Sequence, residues 1–145
     1  VPGRPVLVFL HEGLGSVAMW RDFPARVAHA CGCDAFVYSR LGYGRSAPLD
    51  GPRGVRYMHD EALVALPDVL RAAGVARPVL VGHSDGGSIA LIHAGASGRP
   101  VAGLALMAPH VFVEDVSIAS IREAKAAWRT TGLRDRLIVR RSPSP

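Results

Sequence analysis

Short apolar runs along the chain alternate with segments in which apolar residues recur at helical spacing. The runs are short, continuous and bounded by glycine or polar residues, which predicts strands at residues 6–10, 35–38, 79–81 and 102–107. Helices are predicted between them, from Trp20 to a stop at Gly32, from Leu63 to a stop at Gly74, and over residues 86–96. Strands that are apolar on both faces and separated by helices imply an α/β fold: a parallel sheet of about four strands flanked by helices.

Two further features concern the helices. Pro67 removes a backbone donor inside the second predicted helix and clashes with the turn before it, so a kink is expected there. A last helix is predicted after the fourth strand, where Ser120 and Glu123 fit a capping box and Trp128 lies on its apolar face.

The strongest chemical signal lies between the third strand and the helix that follows it. Gly82, Ser84 and Gly86 fit the G-x-S-x-G pattern of a nucleophile elbow in the strand-to-helix context that the pattern requires. Ser84 is therefore the predicted nucleophile, and the backbone amide of Asp85 a predicted donor to an oxyanion. The alternative is an ordinary glycine-rich turn with a serine that faces solvent.

A second glycine-rich loop, residues 11–16, follows the first strand. Ligands of parallel sheets bind beyond the carboxyl ends of the strands, so this loop is expected beside the elbow. An oxyanion hole takes its second N–H from such a loop, and Gly13 or Leu14 would supply it. The alternative is a plain turn.

A serine nucleophile needs a base within hydrogen-bond reach. His83 is expected to point into the core, and His11 to brace its own loop. His110 follows the fourth strand on the side of the elbow and is the best local candidate for the base, but nothing in its spacing is specific and a role in the pocket wall or in the structure is favoured. His11, His110 and Trp128 are the candidate residues of a substrate pocket.

Composition limits the class of protein. Apolar residues make up 49% and charged residues 20% of 145 residues, with a mean hydropathy of +0.21, as expected of a single folded domain. The longest apolar run is much shorter than a membrane span, and no signal-peptide pattern is present at the N-terminus, so we expect a cytoplasmic protein with no membrane partner.

The net charge of +5 does not point to nucleic acid. Residues 1–119 hold ten basic and ten acidic side chains, and the whole excess lies in residues 120–145. No nucleic-acid partner is therefore expected. Cys31 and Cys33 are too close in sequence for an unstrained disulfide, and no second pair offers metal ligands, so no metal site is expected.

With these motifs the chain resembles the α/β-hydrolase fold family. The resemblance rests on residues 9–11 leading into a glycine loop, on the glycine-containing loop at residues 39–46, and on the elbow, and it covers about residues 5–132. The pattern is most similar to small cytoplasmic enzymes of the meta-cleavage-product hydrolase and menaquinone-synthase type. Glu12 separates His11 from the glycines, which differs from the family's usual His-Gly sequence.

The resemblance implies a serine hydrolase that cleaves an ester, thioester or C–C bond of a small molecule without a cofactor. A lyase or synthase on the same fold, or an inactive remnant with a binding role, are the alternatives. It further implies a partial hydrolase core at residues 1–116, a first lid helix at 117–132 and an irregular basic tail at 133–145. The family carries its acid and its histidine base after later strands, so the resemblance also implies a chain truncated at both ends that lacks them.

Overall fold

The computed structural model describes residues 4–132 and confirms the predicted α/β arrangement. The predicted basic tail, residues 133–145, lies outside the described residues. Within them, four parallel strands pair in the order β2-β1-β3-β4. The strands are β1 (Val6–Leu10), β2 (Asp34–Val37), β3 (Val79–His83) and β4 (Gly103–Met107).

Helices cover both faces of this sheet. The helical segments of residues 4–132 are a 3₁₀-helical turn (Val17–Trp20), α1 (Phe23–Cys31), α2 (Tyr57–Asp60), a π-helical segment (Glu61–Ala65), α3 (Leu66–Ala72), α4 (Asp85–Ala96) and α5 (Asp115–Thr130). The last of them, α5, has no buried residue. On one face Leu10 and Leu80 pack with Leu66 and Ile89, and on the other Phe9 packs with α1. None of the helices within residues 4–132 is long and apolar enough to cross a membrane.

The strand register brings the carboxyl ends of three strands level with one another. Leu10 at the end of β1 pairs with Gly82, and His83 at the end of β3 pairs with Met107 at the end of β4. The loops that leave β1, β3 and β4 therefore begin side by side at one edge of the sheet.

The first predicted helix is divided in two. Trp20 ends a 3₁₀ turn, and Arg21 adopts a φ of 50° before α1 begins at Phe23. The change of direction lets Trp20 pack edge-on against Phe9, with ring centroids 5.3 Å apart, while Phe23 contacts the same ring at 6.2 Å. Tertiary packing against β1 therefore decides where the helix starts.

The chain accommodates Pro67 by a change of helical type. It occupies the first turn of α3, where its missing N–H costs least, and the chain before it forms the π-helical segment Glu61–Ala65. The wider turn relieves the clash between the proline ring and the preceding carbonyls.

The predicted capping box at Ser120 and Glu123 is wrong. The helix begins five residues earlier, at Asp115, and Ser120 lies inside it with its hydroxyl donating to the Val116 carbonyl at 2.9 Å. A serine in a helix interior satisfies its hydroxyl in this way, so the S-x-x-E pattern alone does not mark the start of a helix.

The elbow requires α4 to approach β1 very closely. A Cβ atom added to Gly86 would lie 2.0 Å from the Leu10 carbonyl oxygen, and one added to Gly82 would lie 2.4 Å from the Gly86 oxygen. Both obstacles are backbone atoms that cannot rotate away. The glycines are therefore required by the packing of α4 against the sheet.

This packing predicts opposite effects for two glycines of the same helix. Gly86→Ala should lower the free energy of unfolding by about 3 kcal/mol, because the new methyl group overlaps the β1 backbone. Gly95→Ala should raise it by up to about 1 kcal/mol, because no heavy atom lies within 4 Å and alanine favours the helix. Urea unfolding followed by circular dichroism measures both, and equal stabilities of the two variants would contradict the close approach.

Candidate active site

Ser84 stands at the junction of β3 and α4 in a strained backbone conformation. Its φ is 53° and its ψ −117°, a backbone conformation that residues other than glycine rarely adopt. Its amide donates to the Met107 carbonyl at 2.9 Å, and its own carbonyl accepts the amides of Gly87 and Ser88 at 2.9 and 3.1 Å. These bonds hold the residue at the N-terminus of α4, as the elbow pattern predicts.

The hydroxyl of Ser84 has an imidazole beside it. Ser84 Oγ and His110 Nε2 are 2.8 Å apart. The backbone of His110 is in turn held by the buried Ser88, whose Oγ accepts the His110 amide at 2.8 Å and donates to the His110 carbonyl at 3.0 Å. Of the histidines considered from the sequence, His110 is the one that the structure brings to Ser84.

The side chain of Asp85 forms a largely buried centre of negative charge. Tyr57 donates its hydroxyl to Asp85 Oδ2 at 2.6 Å, and Arg40 Nη2 lies 3.9 Å from the same oxygen. Asp85 Oδ1 is 3.9 Å from His110 Nε2. Burial, followed by the hydrogen bond to Asp85, raises the pKa of Tyr57 well above its usual value, so the phenol stays protonated and donates.

His11 braces the loop that follows β1. The Arg40 amide donates to His11 Nε2 at 3.0 Å, so the ring proton sits on Nδ1, which donates to the Glu12 carbonyl at 2.8 Å. Burial first, and the Arg40 charge second, lower the pKa of His11 to about 4. The ring is 0% exposed. The expected bracing role fits this geometry, and the predicted place of His11 in a pocket wall is wrong because the ring reaches no open surface.

Arg40 contacts both the loop after β1 and the Asp85 carboxylate. Its guanidinium is buried and donates through Nη2 to the carbonyls of His11 and Glu12, at 3.3 and 3.0 Å, and it lies over the Tyr43 ring at 4.9 Å. Its Nε and Nη1 atoms have no hydrogen-bond partner among residues 4–132. The buried cation therefore relies on carbonyl oxygens, an aromatic face and a nearby carboxylate.

Gly13, one of the two residues predicted to supply the second oxyanion donor, lies against the Asp85 side chain. A Cβ atom on Gly13 would be 2.7 Å from Asp85 Oδ2, so the glycine packs directly against the residue that follows Ser84. Within the described part of the chain, the amides of Gly13, Leu14 and Asp85 donate no hydrogen bond.

His83 does not point into the core as expected. Its side chain is 43% exposed and its Nδ1 lies 3.6 Å from Glu12 Oε2, because β3 ends at this residue and its side chain extends beyond the packed part of the sheet. Glu114 and Asp115, the acidic residues after β4, are also exposed: Glu114 precedes α5 without a capping hydrogen bond from its side chain, and Asp115 is the first residue of the helix.

A cavity of about 360 Å³ opens beside His110, between α2 and α4. Tyr57, Met58, Ser88 and Leu91 contribute to its lining. Trp128 lies on α5, 39% exposed, and is not among the residues that line this cavity, so its role in a pocket stays a prediction. No group of metal-ligating side chains occurs within residues 4–132.

Three contributors to this site were missed from the sequence: Arg40, Tyr57 and the hydroxyl of Ser88. The position of Ser88 four residues after Ser84 places it one helical turn along α4, which is a usable signal. Tyr57 and Arg40 reach Asp85 from distant segments, and no local pattern marks them.

Comparison with known proteins gives a consistent result. A family model described as the alpha/beta hydrolase fold matches residues 5–135. No curated protein matches the chain. Many solved structures are similar to it, at low sequence identity.

Three of these structures are enzymes by their descriptions. One, from work on carboxylesterases of the thaumarchaeon Nitrososphaera gargenis, is 18% identical with a TM-score of 0.73, over 90% of this chain and 47% of that one. A 2-hydroxy-6-oxo-6-phenylhexa-2,4-dienoate hydrolase from Rhodococcus sp. strain RHA1 is 20% identical with a TM-score of 0.65, over 75% and 40%. A monoacylglycerol lipase from Paleococcus ferrophilus is 20% identical with a TM-score of 0.63, over 89% and 49%.

The chain spans less than half the length of each of these three proteins. At such identities the likeness concerns the fold, and the family match extends over nearly all of the described residues. The parallel sheet, the strained serine between β3 and α4 and the family match together show that this chain belongs to the α/β-hydrolase fold family.

Proposed function

We propose that this chain carries a serine hydrolase site in which Ser84 attacks the carbonyl group of a small ester, thioester or vinylogous diketone. The observation that carries the proposal is the strained backbone of Ser84 together with the 2.8 Å contact between its hydroxyl and an imidazole. A serine hydroxyl is a weak nucleophile unless a base lies within hydrogen-bond reach. Backbone strain at a residue other than glycine is typical of functional sites.

Developing negative charge on the substrate would be stabilised by backbone amides. The amide of Asp85 lies at the start of α4, where the helix dipole favours an anion, and it has no acceptor within residues 4–132. The packing of Gly13 against Asp85 supports the Gly13 amide as the second donor, with Leu14 as the alternative.

The cavity beside His110 supports a small substrate with an apolar portion. Its lining combines Met58, Leu91 and Ile92 with the polar groups of Tyr57 and Ser88. One end of a ligand would meet aliphatic side chains, and His110, whose Nε2 lies 2.8 Å from the Ser84 hydroxyl, borders the same cavity. The hydrolytic activities named for the structural neighbours are compatible with such a substrate.

The nucleophile is tested with a fluorophosphonate, which forms a covalent bond to activated serine. The chain should gain one phosphonyl adduct at Ser84, located by peptide mass spectrometry. Ser84→Ala should abolish labelling because the attacking oxygen is gone. Ser120→Ala removes a hydroxyl that is bonded inside α5 and serves as the control, and it should label at the normal rate. An unlabelled wild-type chain that is folded by circular dichroism would contradict the proposal.

The oxyanion loop is tested by Gly13→Ala. The added methyl group would collide with an Asp85 carboxylate that Tyr57 holds in place, so the loop must move away from Ser84. We expect the labelling rate to fall about 100-fold, the usual effect of losing one oxyanion donor. Gly51→Ala is the matched control, because no heavy atom lies within 4 Å of the new methyl group. Equal rates for the two variants would contradict the role of this loop.

The loop brace predicts a pH dependence of stability. His11 binds no proton in the folded chain until the pH nears 4, whereas the unfolded chain binds one below 6.5. The contribution of neutral His11 to the free energy of unfolding is therefore fully present above pH 6.5 and is lost as the pH falls towards 4. It amounts to about 3 kcal/mol.

His11→Gln should flatten this part of the profile, since glutamine does not titrate. The comparison uses urea unfolding at pH 7 and pH 4.5, with His29→Gln as the control because His29 is exposed on α1. Parallel profiles for the wild-type chain and His11→Gln would show that His11 is not the buried neutral group.

A further inference from the structure

We propose that a second cavity beside the elbow binds an organic cation, and that the substrate of Ser84 carries an ammonium group for this reason. The identification of the substrate rests on the proposed function of Ser84. The cation site itself rests on Glu12 and on two aromatic rings, and it is tested separately.

The cavity has a volume of about 340 Å³ and lies at the carboxyl edge of the sheet, on the face that α1 covers. It borders the nucleophile. His83 precedes Ser84 in the chain, and the Met107 carbonyl accepts the Ser84 amide at 2.9 Å. The residues that line the cavity are Glu12, Met19, Trp20, Phe23, His83 and Met107.

Glu12 has a fixed backbone and a carboxylate without a donor. Its carbonyl oxygen accepts from the Gly15 amide at 3.1 Å, from His11 Nδ1 at 2.8 Å and from Arg40 Nη2 at 3.0 Å. Within residues 4–132 these are its hydrogen bonds, and none of them involves the side chain. The loop therefore holds the residue in place and leaves its charged group available.

The negative charge of Glu12 is largely buried and poorly balanced. Its side chain is 23% exposed, and His83 Nδ1 lies 3.6 Å from Oε2, which is longer than a hydrogen bond. An imidazole also carries a positive charge only when it is protonated. Arg40 pairs with the Asp85 carboxylate and forms no ion pair with the Glu12 carboxylate. A cationic ligand would supply the missing counter-charge.

Gly15 gives this carboxylate its position. A Cβ atom added to Gly15 would lie 2.6 Å from both carboxylate oxygens of Glu12, so the charged group lies over its own loop in the space that the glycine leaves. Glu12 is also the residue that interrupts the His-Gly sequence of the loop. Its presence places a negative charge in the lining of the cavity.

The aromatic part of the lining favours a cation with apolar substituents. The rings of Trp20 and Phe23 are stacked, with centroids 5.8 Å apart and planes 13° from parallel. Aromatic faces attract cations and are typical of sites that recognise quaternary ammonium groups. Within the described chain, no lysine or arginine lines the cavity. A carboxylate beside aromatic rings thus points to an alkylated ammonium group rather than to an anion.

The two cavities beside the elbow differ in charge. Among the described residues, the cavity next to His110 has no carboxylate in its lining, and it lies on the opposite face of the sheet, between α2 and α4. It suits the apolar portion of a substrate, whereas the cavity beside Glu12 suits a charged portion. The substrate class that fits both is an ester or thioester with an ammonium group on one side of its carbonyl.

Binding of a cation is measured by tryptophan fluorescence. Trp128→Phe leaves Trp20 as the one tryptophan of the 145-residue chain, so its emission reports on the cavity. The probes are choline and 3,3-dimethylbutan-1-ol, in which carbon replaces the charged nitrogen. We expect choline to bind with a Kd about 10-fold lower than that of the neutral alcohol, since only the cation interacts with Glu12 and with the ring faces.

Variants in the same background test the two components of the site. Glu12→Gln should weaken choline binding about 10-fold, to the level of the neutral alcohol. Glu123→Gln makes the same change of charge at an exposed position on α5 and should bind choline normally. Phe23→Leu should weaken choline binding about 3-fold, whereas Phe112→Leu, which removes an exposed ring outside the cavity, should not. Circular dichroism verifies that each variant is folded.

The assignment to the substrate is tested by a matched pair of fluorophosphonates, one ending in a trimethylammonium group and the other in a tert-butyl group. The wild-type chain should be labelled at Ser84 about 10-fold faster by the cationic reagent. Glu12→Gln should label at similar rates with both, and Glu123→Gln should keep the preference.

The outcomes separate the cation site from the proposed function. Equal affinities for choline and the neutral alcohol, or normal choline binding by folded Glu12→Gln, would overturn the site and leave His83 as the partner of Glu12. Choline binding together with equal labelling by the two reagents would overturn the assignment to the substrate and leave Ser84 as the nucleophile. Absence of labelling by both reagents would overturn the proposed function, and with it the substrate, while the choline titration still decides the cation site.

Discussion

The closeness of α4 to β1 determines the geometry of everything at the carboxyl edge of the sheet. With no side chain at Gly86, the helix backbone reaches the Leu10 carbonyl, where one methyl carbon would be only 2.0 Å away. This approach brings the first turn of α4 against the loop after β1, so that Gly13 touches Asp85. Ser84 and the loop after β1 are thereby brought together at the same edge of the sheet. Any residue that widens this gap separates them.

A buried network of charges stabilises the same junction. Taking a guanidinium out of water costs several kcal/mol, and Arg40 recovers part of that cost from two carbonyls of the β1 loop, the Tyr43 ring and the Asp85 carboxylate. Asp85 also accepts from Tyr57 and faces His110. The carboxylate therefore links the loop after β1, helix α2 and the imidazole beside Ser84.

Local patterns allowed the strands and the elbow to be predicted, because short apolar runs and closely spaced glycines reflect constraints within a few residues. The S-x-x-E pattern at Ser120 failed because the hydroxyl is satisfied equally well by a carbonyl inside a helix. Arg40 and Tyr57 could not be found in this way, since each meets Asp85 across 28 or more residues of chain. His110 was identifiable by its place after β4, whereas its contact with Ser84 depends on the Ala108 turn and the Ser88 hydroxyl.

Backbone strain is concentrated at the two turns that bring Ser84 and His110 into contact. Among residues 4–132, three residues other than glycine have positive φ: Arg21, Ser84 and Ala108. Arg21 separates a 3₁₀ turn from α1, but Ser84 and Ala108 lie at the ends of the neighbouring strands β3 and β4, joined by the bond from the Ser84 amide to Met107. Each such residue costs about 1–3 kcal/mol. Straightening either one would redirect the chain that carries Ser84 or His110, so the 2.8 Å contact between the hydroxyl and the imidazole depends on both turns.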